Sequence, residues 1–381
     1  MTAAAPNAAR SAPLLDASDE RVVLTLDAGG TNFAFSALQG GRLVGTPCVL
    51  PSCADDLDAS LDNLVAGFER VAASVHARPV AISFAFPGPA DFPNGVVFNV
   101  GNLPAYRDGV AVAAFLEDRF GLPTFLNNDG DLFALGEATA GLLPHVNRRL
   151  AEAGSTRRCR NLFAVTLGTG LGGGAVVDGR LLSGDNSAAT EVWRLPSALA
   201  SDRLAEEDAS IRAVRRAYAT ESKTPLDEAP TPADIAEIAH GRTPGDRDAA
   251  CGAFARLGEA VGGTIATATC FLDALVVIGG GLSGAADLFM PALCESVTAS
   301  LRGPDGTAVP RVPHKVFDLR TDEGLAAFGA SSEHRVAVPR GSRTIACQPD
   351  ARLGVGVSLL GANHATAVGA YAYALQQIHS D

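Results

Sequence analysis

The feature that most constrains the fold of this chain is a pattern that occurs twice. The first copy is LTLDAGGTNFAFSAL (24–38), and the second is AVTLGTGLGGGAVVD (164–178). Each copy is an apolar strand, a turn rich in Gly and Thr, and a second apolar strand. The repeat predicts an internal duplication, in which two α/β domains face a shared cleft. A length of 381 residues allows one large or two medium domains.

Helical and strand patterns surround both copies. Predicted helices cover 57–75, 110–121, 207–219, 231–240, 251–273 and 361–378. Short apolar runs that end at Gly or Asn predict buried strands at 79–88, 123–128 and 274–281. Residues 302–353 are richer in charge, Pro and Gly and have little periodicity, so we predict a long insertion or flap there.

Charge and cysteine content exclude several classes of function. The net charge of -12 argues against a nucleic-acid partner, because such proteins need a basic surface. It leaves ATP and sugar phosphates open as ligands, since backbone N–H groups can bind them. The seven cysteines are scattered and form no CxxC or CxC pair. We therefore expect neither a disulfide framework nor a thiolate zinc site.

The termini and apolar stretches carry no sign of export or membrane insertion. Residues 1–20 are rich in Ala, Pro and Ser and lack the apolar core of a signal peptide, which predicts a disordered leader. The longest apolar stretch, 261–284, is interrupted by Asp273 and several Gly, so we predict no membrane span. We expect a cytoplasmic protein without a membrane partner.

The first Gly turn, DAGGTN (27–32), has the composition of a phosphate-binding loop. Backbone N–H groups reach a phosphate where no Cβ intervenes, as at Gly29 and Gly30, and Thr31 and Asn32 add side-chain donors. Asp27 at the strand end is a candidate to hold Mg²⁺ through water. An ordinary β-turn with an acidic flank is the alternative.

Two more Gly loops follow apolar strands. TLGTGLGGG (166–174) contains Gly168, Thr169 and Gly170, and IGGGLSG (278–284) contains Gly279, Gly280 and Gly281. So many glycines cost conformational entropy, which is understandable if the backbone must meet a ligand. Neither loop matches the P-loop pattern, and the first turn leads into a strand where a dinucleotide fingerprint leads into a helix.

The chain resembles the ROK family of sugar kinases, within the superfamily of hexokinase, actin and the Hsp70 ATPase. The resemblance spans roughly residues 21–300 and the C-terminal helix. Its motifs are DAGGTN (27–32), FPGPAD (86–91), NNDGDLFALGEA (127–138), TLGTGLGGG (166–174), NSAATEVW (186–193), VVIGGG (276–281) and GANHATAVGAYAYAL (361–375).

The resemblance implies two RNase H-like (actin-like ATPase) domains that flank an interdomain cleft. After the leader, the predicted domains are 21–138, with the sugar site and first phosphate loop, and 139–381, with the nucleotide loops. The C-terminal helix 361–378 is a candidate to pack back on the first domain. ATP, Mg²⁺ and a hexose are the implied ligands, without zinc, and a homodimer is the expected assembly.

The segment NNDGD (127–131) has several interpretations. As a calcium loop it fails, because a loop that starts at Asn127 has Leu132 at position 6 and Ala138 at position 12, where Gly and Glu are required. As a helix start, Asn128 or Asp129 is a candidate N-cap. The resemblance implies that Asp129 is the base for the sugar hydroxyl, that Asn128 contacts the sugar, and that Asp131 has a structural capping role.

A second part of the implied sugar site lies in TEVWRLP (190–196). Glu191 matches the sugar-binding glutamate of the family, but Arg194 stands where the family has a zinc-binding His, and Trp193 replaces a Gly. The usual Cys-rich cluster is also missing, which favours a zinc-free branch. Glu206 or Glu207 is a candidate to replace a further glutamate, and exposed helix-start carboxylates are the alternative.

Two loops complete the implied site. Pro87-Gly88-Pro89 and Asn102-Leu103-Pro104 match family loops beside the sugar, although both are also typical turns. The resemblance predicts ATP-dependent phosphorylation of a hexose, glucokinase-like at the 6-OH. A kinase for fructose or an N-acetylhexosamine is one alternative, and a non-catalytic, sugar-sensing regulator is the alternative from another class.

Overall fold

The computed structural model of the chain describes residues 15–98, 100–330 and 334–378. The strands are β1 Val22–Ala28, β2 Asn32–Gln39, β3 Arg42–Pro51, β4 Pro79–Ala85, β5 Ala90–Asp91, β6 Val96–Val97, β7 Val110–Ala111, β8 Thr124–Asn127, β9 Leu162–Leu167, β10 Leu171–Val177, β11 Arg180–Leu181, β12 Leu275–Gly279, β13 Ser300–Arg302, β14 Ala308–Pro310, β15 Lys315–Asp318, β16 His334–Ala337, β17 Thr344–Cys347 and β18 Arg352–Val357. The α-helices are α1 Leu57–Ser74, α2 Val112–Phe120, α3 Asp129–Thr139, α4 Leu142–Glu152, α5 Ala205–Asp208, α6 Ile211–Ser222, α7 Pro232–Ala239, α8 Arg247–Thr269, α9 Ala286–Thr298, α10 Asp322–Gly329 and α11 Ala362–Ile378.

Two mixed sheets confirm the predicted duplication. The first has the strand order β3-β2-β1-β4-β8, and the second has the order β11-β10-β9-β12-β18-β15. In each, an antiparallel three-strand meander is followed by parallel strands. The Gly turns of the repeat join β1 to β2 and β9 to β10.

The central strands of both sheets are buried on two faces, which explains why these strands are continuously apolar. Along β1, Leu24 packs in a cluster with Phe68 of α1, while its neighbour Val23 packs with Val368 of α11. Successive side chains of a strand point to opposite faces, so each face meets its own helices. In β9, likewise, Phe163 joins a cluster that includes α8, and Ala164 joins one formed with α3 and α4.

Helices α3 and α11 lie between the two sheets. The Tyr371 hydroxyl of α11 accepts a hydrogen bond of 3.0 Å from the Gly40 N–H of the first sheet. Helix α3 meets the second sheet so closely that a Cβ on Gly130 would lie 2.4 Å from the Gly173 carbonyl oxygen of β10. A Cβ on Gly369 would lie 1.8 Å from the Leu132 carbonyl oxygen, so glycine permits the contact between the two helices.

Residues 302–353 differ from the predicted insertion. Strand β15 extends the second sheet as a parallel edge beside β18, and Phe328 of α10 is buried next to it. The hairpins β13–β14 and β16–β17 are exposed. Pattern analysis missed β15 because an edge strand of four residues, KVFD, has too little apolar alternation.

The predicted leader and membrane properties are tested only in part. Residues 1–14 lie outside the described residues, and within 15–20 Leu15 packs against the cluster of Val23 and Tyr371. In the described ranges, no helix is both long and apolar enough to cross a bilayer.

Candidate active site

The start of α3 places Asp129 between the two sheets. Strand β8 ends at Asn127, and Asn128 is the N-cap, since its Oδ1 accepts a hydrogen bond of 2.8 Å from the Gly130 N–H. Asp129 is the first residue of the helix, and its carboxylate is exposed. Because Gly130 touches β10, this carboxylate stands where the first sheet meets the Gly turn of the second.

A cavity of about 530 Å³ opens at this junction. Nine of the predicted site residues line it, and they come from both halves of the chain: Asp27, Asn128, Asp129, Gly168, Thr169, Gly170, Glu191, Glu206 and Gly280. A cavity of this size accommodates a small ligand. The sequence repeat is therefore also a spatial one, because the cavity meets the end of β1 at Asp27 in the first meander and the Gly turn at 168–170 in the second.

The charge of one carboxylate in the cavity affects the ionisation of another. The pKa of Asp27 is raised, first because neighbouring protein displaces water from it and second because the negative charge of Asp129 is close. A divalent cation next to these groups would relieve the repulsion, and carboxylate oxygens are ligands that Mg²⁺ prefers. The donor set therefore fits a magnesium ion held at Asp27.

Asp131 is a buried acid, not a helix cap. Its side chain is 7% exposed, and its Oδ1 has no hydrogen-bond partner among the described residues. Burial raises its pKa to about 7, and the charges of Glu191 and Asp129 add to the increase. The prediction that Asp131 caps the helix is wrong, because Asn128 occupies that position.

Glu206 contacts the Gly turn of the second sheet and stabilises its backbone. The Glu206 Oε2 accepts a hydrogen bond of 3.1 Å from the Leu171 N–H, and a Cβ on Gly170 would lie 2.4 Å from the same oxygen. Arg212 pairs with the other oxygen at 3.2 Å. At the start of α6, the Ile211 N–H donates to the Gly168 carbonyl at 2.9 Å. Through these contacts, Glu206 holds the turn in place. Sugar binding by Glu206 stays a prediction.

Glu191 and its neighbours form a chain of contacts at the cavity wall. The Trp193 indole Nε1–H donates to Glu191 Oε2, and Trp193 lines the cavity while packing on the core of the second domain. The Arg194 guanidinium lies 4.3 Å from the centre of the Trp193 ring. Arg194 itself is exposed and is not part of the cavity lining.

The remaining predicted residues lie outside this lining. Asn102 packs on the first Gly turn, since a Cβ on Gly30 would lie 2.9 Å from the Asn102 Nδ2. Gly279 faces the Phe133 ring and has a packing role. The other residues are exposed or partly exposed and do not line the cavity: Gly29, Thr31, Asn32, Gly88, Arg194 and Gly281.

The sequence analysis missed the contribution of α11 to the cavity. Ala362, Asn363 and Thr366 line it from the first turns of that helix, and Thr166 and Thr190 line it from the second domain. The motif at 361–375 supported the resemblance, but nothing in its pattern placed these residues near residues so distant in sequence.

The described residues of this site do not form a cluster of metal ligands. In residues 15–98, 100–330 and 334–378, no three His, Cys, Asp or Glu side chains are grouped so that they could hold a metal ion together. The zinc-free character of the site stays a prediction.

Comparison with known proteins now adds to the geometry. The sequence model of the ROK family matches residues 23–330. The chain belongs to the ROK family. The predicted α/β fold with two actin-like ATPase domains is confirmed, because the solved ROK structures that match this chain share it.

Curated relatives of this ROK protein include named sugar kinases. The glucokinase of Thermotoga maritima is 31% identical over 231 residues, which cover 55% of this chain and 67% of the relative. The N-acetyl-D-glucosamine kinase of Vibrio cholerae serotype O1 is 33% identical over 174 residues, which cover 45% of this chain and 52% of the relative. In that second match, the chain spans about half the length of the relative.

Solved ROK structures match nearly the whole chain. The crystal structure of a glucokinase from Parabacteroides distasonis has a TM-score of 0.87 and 48% identity, and it covers 95% of this chain and 99% of that one. A ROK glucokinase from Streptomyces griseus, crystallised with glucose and AMPPNP, has a TM-score of 0.59 at 19% identity over 92% of this chain and 98% of that one. At 19% identity, the second match shows the fold alone.

Proposed function

We propose that this ROK protein transfers the γ-phosphoryl group of ATP to a hexose hydroxyl, with the 6-OH of glucose as the first candidate. The observation that carries the proposal is the single cavity that brings together Asp129, Glu191 and the Gly turn at 168–170. Its combination of two carboxylates with an exposed glycine backbone suits a sugar beside a polyphosphate. The match to the Parabacteroides glucokinase supports the same substrate class.

Asp129 is proposed as the general base. As the sugar oxygen attacks, a bond forms between it and the γ-phosphorus, the bond from that phosphorus to the leaving oxygen of ADP breaks, and the hydroxyl proton passes to the Asp129 carboxylate. An ordinary ionised Asp is sufficient, since phosphoryl transfer depends mainly on positioning and charge stabilisation. The exposed position of Asp129 at the helix start leaves it free to reach a substrate.

Asn128 and Glu191 are proposed to orient the sugar. The Asn128 Oδ1 is used by the helix cap, which leaves its NH₂ group to donate to a sugar oxygen. Trp193 holds one oxygen of Glu191, which leaves the other to accept from a sugar hydroxyl. Gly88 and Asn102, at the edge of the first domain, and Arg194 and Glu206, in the second, are further proposed contacts.

The three Gly turns are proposed to hold the nucleotide. Their backbone N–H groups would meet the phosphates, with side chains absent where the approach is close. The residues are Gly29, Gly30, Thr31, Asn32, Gly168, Thr169, Gly170, Gly279, Gly280 and Gly281. Mg²⁺ held at Asp27 through water would neutralise phosphate charge.

A second candidate substrate is an N-acetylhexosamine. The Vibrio relatives named N-acetyl-D-glucosamine kinase match this chain at an identity similar to that of the Thermotoga glucokinase. Trp193 also lines the cavity at a position where the family pattern, on which the glucose expectation rests, has Gly, and Arg194 stacks on its ring outside the lining. Phosphorylation of fructose, a homodimeric assembly and a cytoplasmic location remain predictions.

An ADP-release assay tests the proposal. The purified chain is incubated with MgATP and, in separate reactions, glucose, fructose, mannose, N-acetylglucosamine or N-acetylmannosamine. We expect sugar-dependent ADP release with a preference for glucose. A preference for N-acetylglucosamine would favour the second candidate. ATP binding without release for any of the five would contradict the proposal and favour a non-catalytic regulator.

A further inference from the structure

A second and larger cavity lies at the opposite end of α3 from Asp129. Its volume is about 850 Å³, and it is formed by segments from both halves of the chain. The turn between β2 and β3, at 40–42, contributes from the first sheet. The junction of α3 and α4, at 138–148, and the segment 158–160 before β9 contribute from the other side.

The charged groups of this cavity are all basic. Arg42, Arg148, Arg158 and Arg160 line it, together with His145, and no carboxylate lines it among the described residues. None of the four arginines takes part in an ion pair within the described ranges. In a chain with a net charge of -12, four unpaired arginines around one cavity form a local anion-attracting surface.

The positive charges near the cavity also affect the ionisation of His145. Its pKa is lowered, first by burial and then by the positive charges of Arg148 and Arg149. The nearest acidic position in sequence, Asp16, lies between lining residues, but its carboxylate accepts hydrogen bonds from the N–H and hydroxyl groups of Ser18. Arg158 donates hydrogen bonds to the carbonyl oxygens of Ser155 and Arg157, and Arg148 lies 3.2 Å from His145 Nδ1, so these two arginines have neutral partners.

Part of the cavity wall is apolar. Leu15, Ala17, Ala138, Leu143 and Leu359 line it beside the arginines. Ligand sites typically combine such a wall with a few charged groups, and their volumes are about 300–1,000 Å³. Arginine forms paired hydrogen bonds with phosphate oxygens. We propose that this cavity is a second ligand site, which binds a small phosphorylated organic molecule through its arginines and its apolar wall.

The position of the cavity connects it to the active site. Helix α3 has 11 residues, so about 15 Å of rigid helix separates Asp129 from Thr139 at the cavity. Glu137, fully buried near that end, accepts hydrogen bonds from the Leu142 N–H at 2.7 Å and the Ser358 hydroxyl at 2.6 Å. A ligand that bridges Arg42 and Arg148 would link the first sheet to α4 next to this fixed helix end.

Calorimetry with a simple probe tests the site. Phenyl phosphate combines a dianion with an apolar ring, and inorganic phosphate has the charge alone. Each is titrated into the full chain with AMPPNP, Mg²⁺ and glucose in excess, so that binding at the first cavity is suppressed. We expect saturable binding of phenyl phosphate that is tighter than that of phosphate, because the apolar wall contributes.

Charge variants locate the binding. Arg148→Glu combined with Arg160→Glu should weaken phenyl phosphate binding by roughly tenfold or more, since charge-assisted hydrogen bonds are lost. Arg302→Glu, on the exposed strand β13, is the control and should bind as the unmodified chain does. If the charge-reversed chain unfolds, the Gln pair at 148 and 160 replaces it. Undetectable binding to the unmodified chain, or equal binding by the double variant, would overturn the proposal whether or not the chain phosphorylates sugars.

Discussion

The turns between β1 and β2 and between β9 and β10 have the same topology but different chemistry. The first carries a charge at the end of its strand, Asp27, which approaches Asp129. The equivalent position in the register of the second meander is Thr166, which is uncharged, and the turn that follows is nearly all backbone. A duplicated scaffold has thus placed a charged group on one side of the cavity and a peptide surface on the other.

The contacts of the two turns differ in the same way. On the second side, Gly173 of β10, just after the turn, lies against Gly130 of α3, so the backbone itself fixes the position of the helix. On the first side, Gly30 lies against a side chain, Asn102. We infer that the start of β10, after the second turn, sets the distance between the domains near the reacting groups, while the end of β1, before the first turn, adjusts charge and metal binding. The predictions below test this division.

The largest effect is expected at the residue that stands between the two turns. Asp129→Asn removes the proposed base while keeping size and helix start, so we expect kcat to fall by about 10³-fold, within the range attributed to general bases. Steady-state ADP release measures it, and calorimetric titration with glucose checks that sugar binding is partly retained. Normal turnover by the variant would refute the role of Asp129.

The next largest effect is expected when the contact between α3 and β10 is disrupted. In Gly130→Ala, the new Cβ would lie 2.4 Å from the Gly173 carbonyl oxygen, so the helix must move. We expect a loss of roughly 1–3 kcal/mol in the free energy of unfolding. A displaced Asp129 should lower kcat by about tenfold to a hundredfold.

Gly252→Ala is the matched control for this change. Gly252 is also helical, in α8, but a Cβ there meets nothing within 4 Å. Urea unfolding should show this variant to be as stable as the unmodified chain or slightly more stable, because Ala favours a helix. Equal behaviour of the two variants would mean that the close contact at Gly130 does not position the helix.

The role of the Asp27 charge is tested by the dependence of the reaction rate on Mg²⁺. Asp27→Asn should raise the Mg²⁺ concentration that gives half-maximal rate by roughly tenfold, because a carboxylate in or next to the metal shell is lost. A titration of rate against free Mg²⁺ at saturating ATP measures it. Asp178→Asn, at the turn after β10 and outside the cavity lining, should leave that concentration unchanged. Matching curves for Asp27→Asn and the unmodified chain would exclude Asp27 from metal binding.

The last prediction concerns the dependence of stability on pH. Asp131 has a pKa of about 7 in the folded chain, above its ordinary value, so the folded state holds a proton that the unfolded state releases near pH 4. Its contribution to stability is therefore complete below pH 4 and is lost as the pH rises to about 7. Asp131→Asn removes this slope, and relative to the unmodified chain it should gain on the order of 2–4 kcal/mol between pH 4 and 8.

Urea unfolding at several pH values measures the difference. A parallel pH dependence for Asp131→Asn and the unmodified chain would show that Asp131 is ionised in the folded state at neutral pH.

Local sequence patterns were sufficient for some features and insufficient for others. The repeat predicted both meanders because each is a short-range sequence of strands and Gly turns. The sequence predicts an N-cap at Asn128 or Asp129, and only the hydrogen bond seen in the structure identifies Asn128 as the cap. The close approach of Gly130 to Gly173, the burial of Asp131 and the lining role of Asn363 depend on contacts between segments far apart in sequence. No periodicity encodes such contacts.

The most direct test of the central claim follows the phosphorus atom. The chain is incubated with ATP labelled in the γ-phosphoryl group, Mg²⁺ and glucose, and the labelled products are separated and identified. The account predicts a labelled sugar phosphate formed in a one-to-one ratio with ADP. Label recovered as inorganic phosphate with no sugar phosphate, for glucose and for the four other sugars named above, would contradict it.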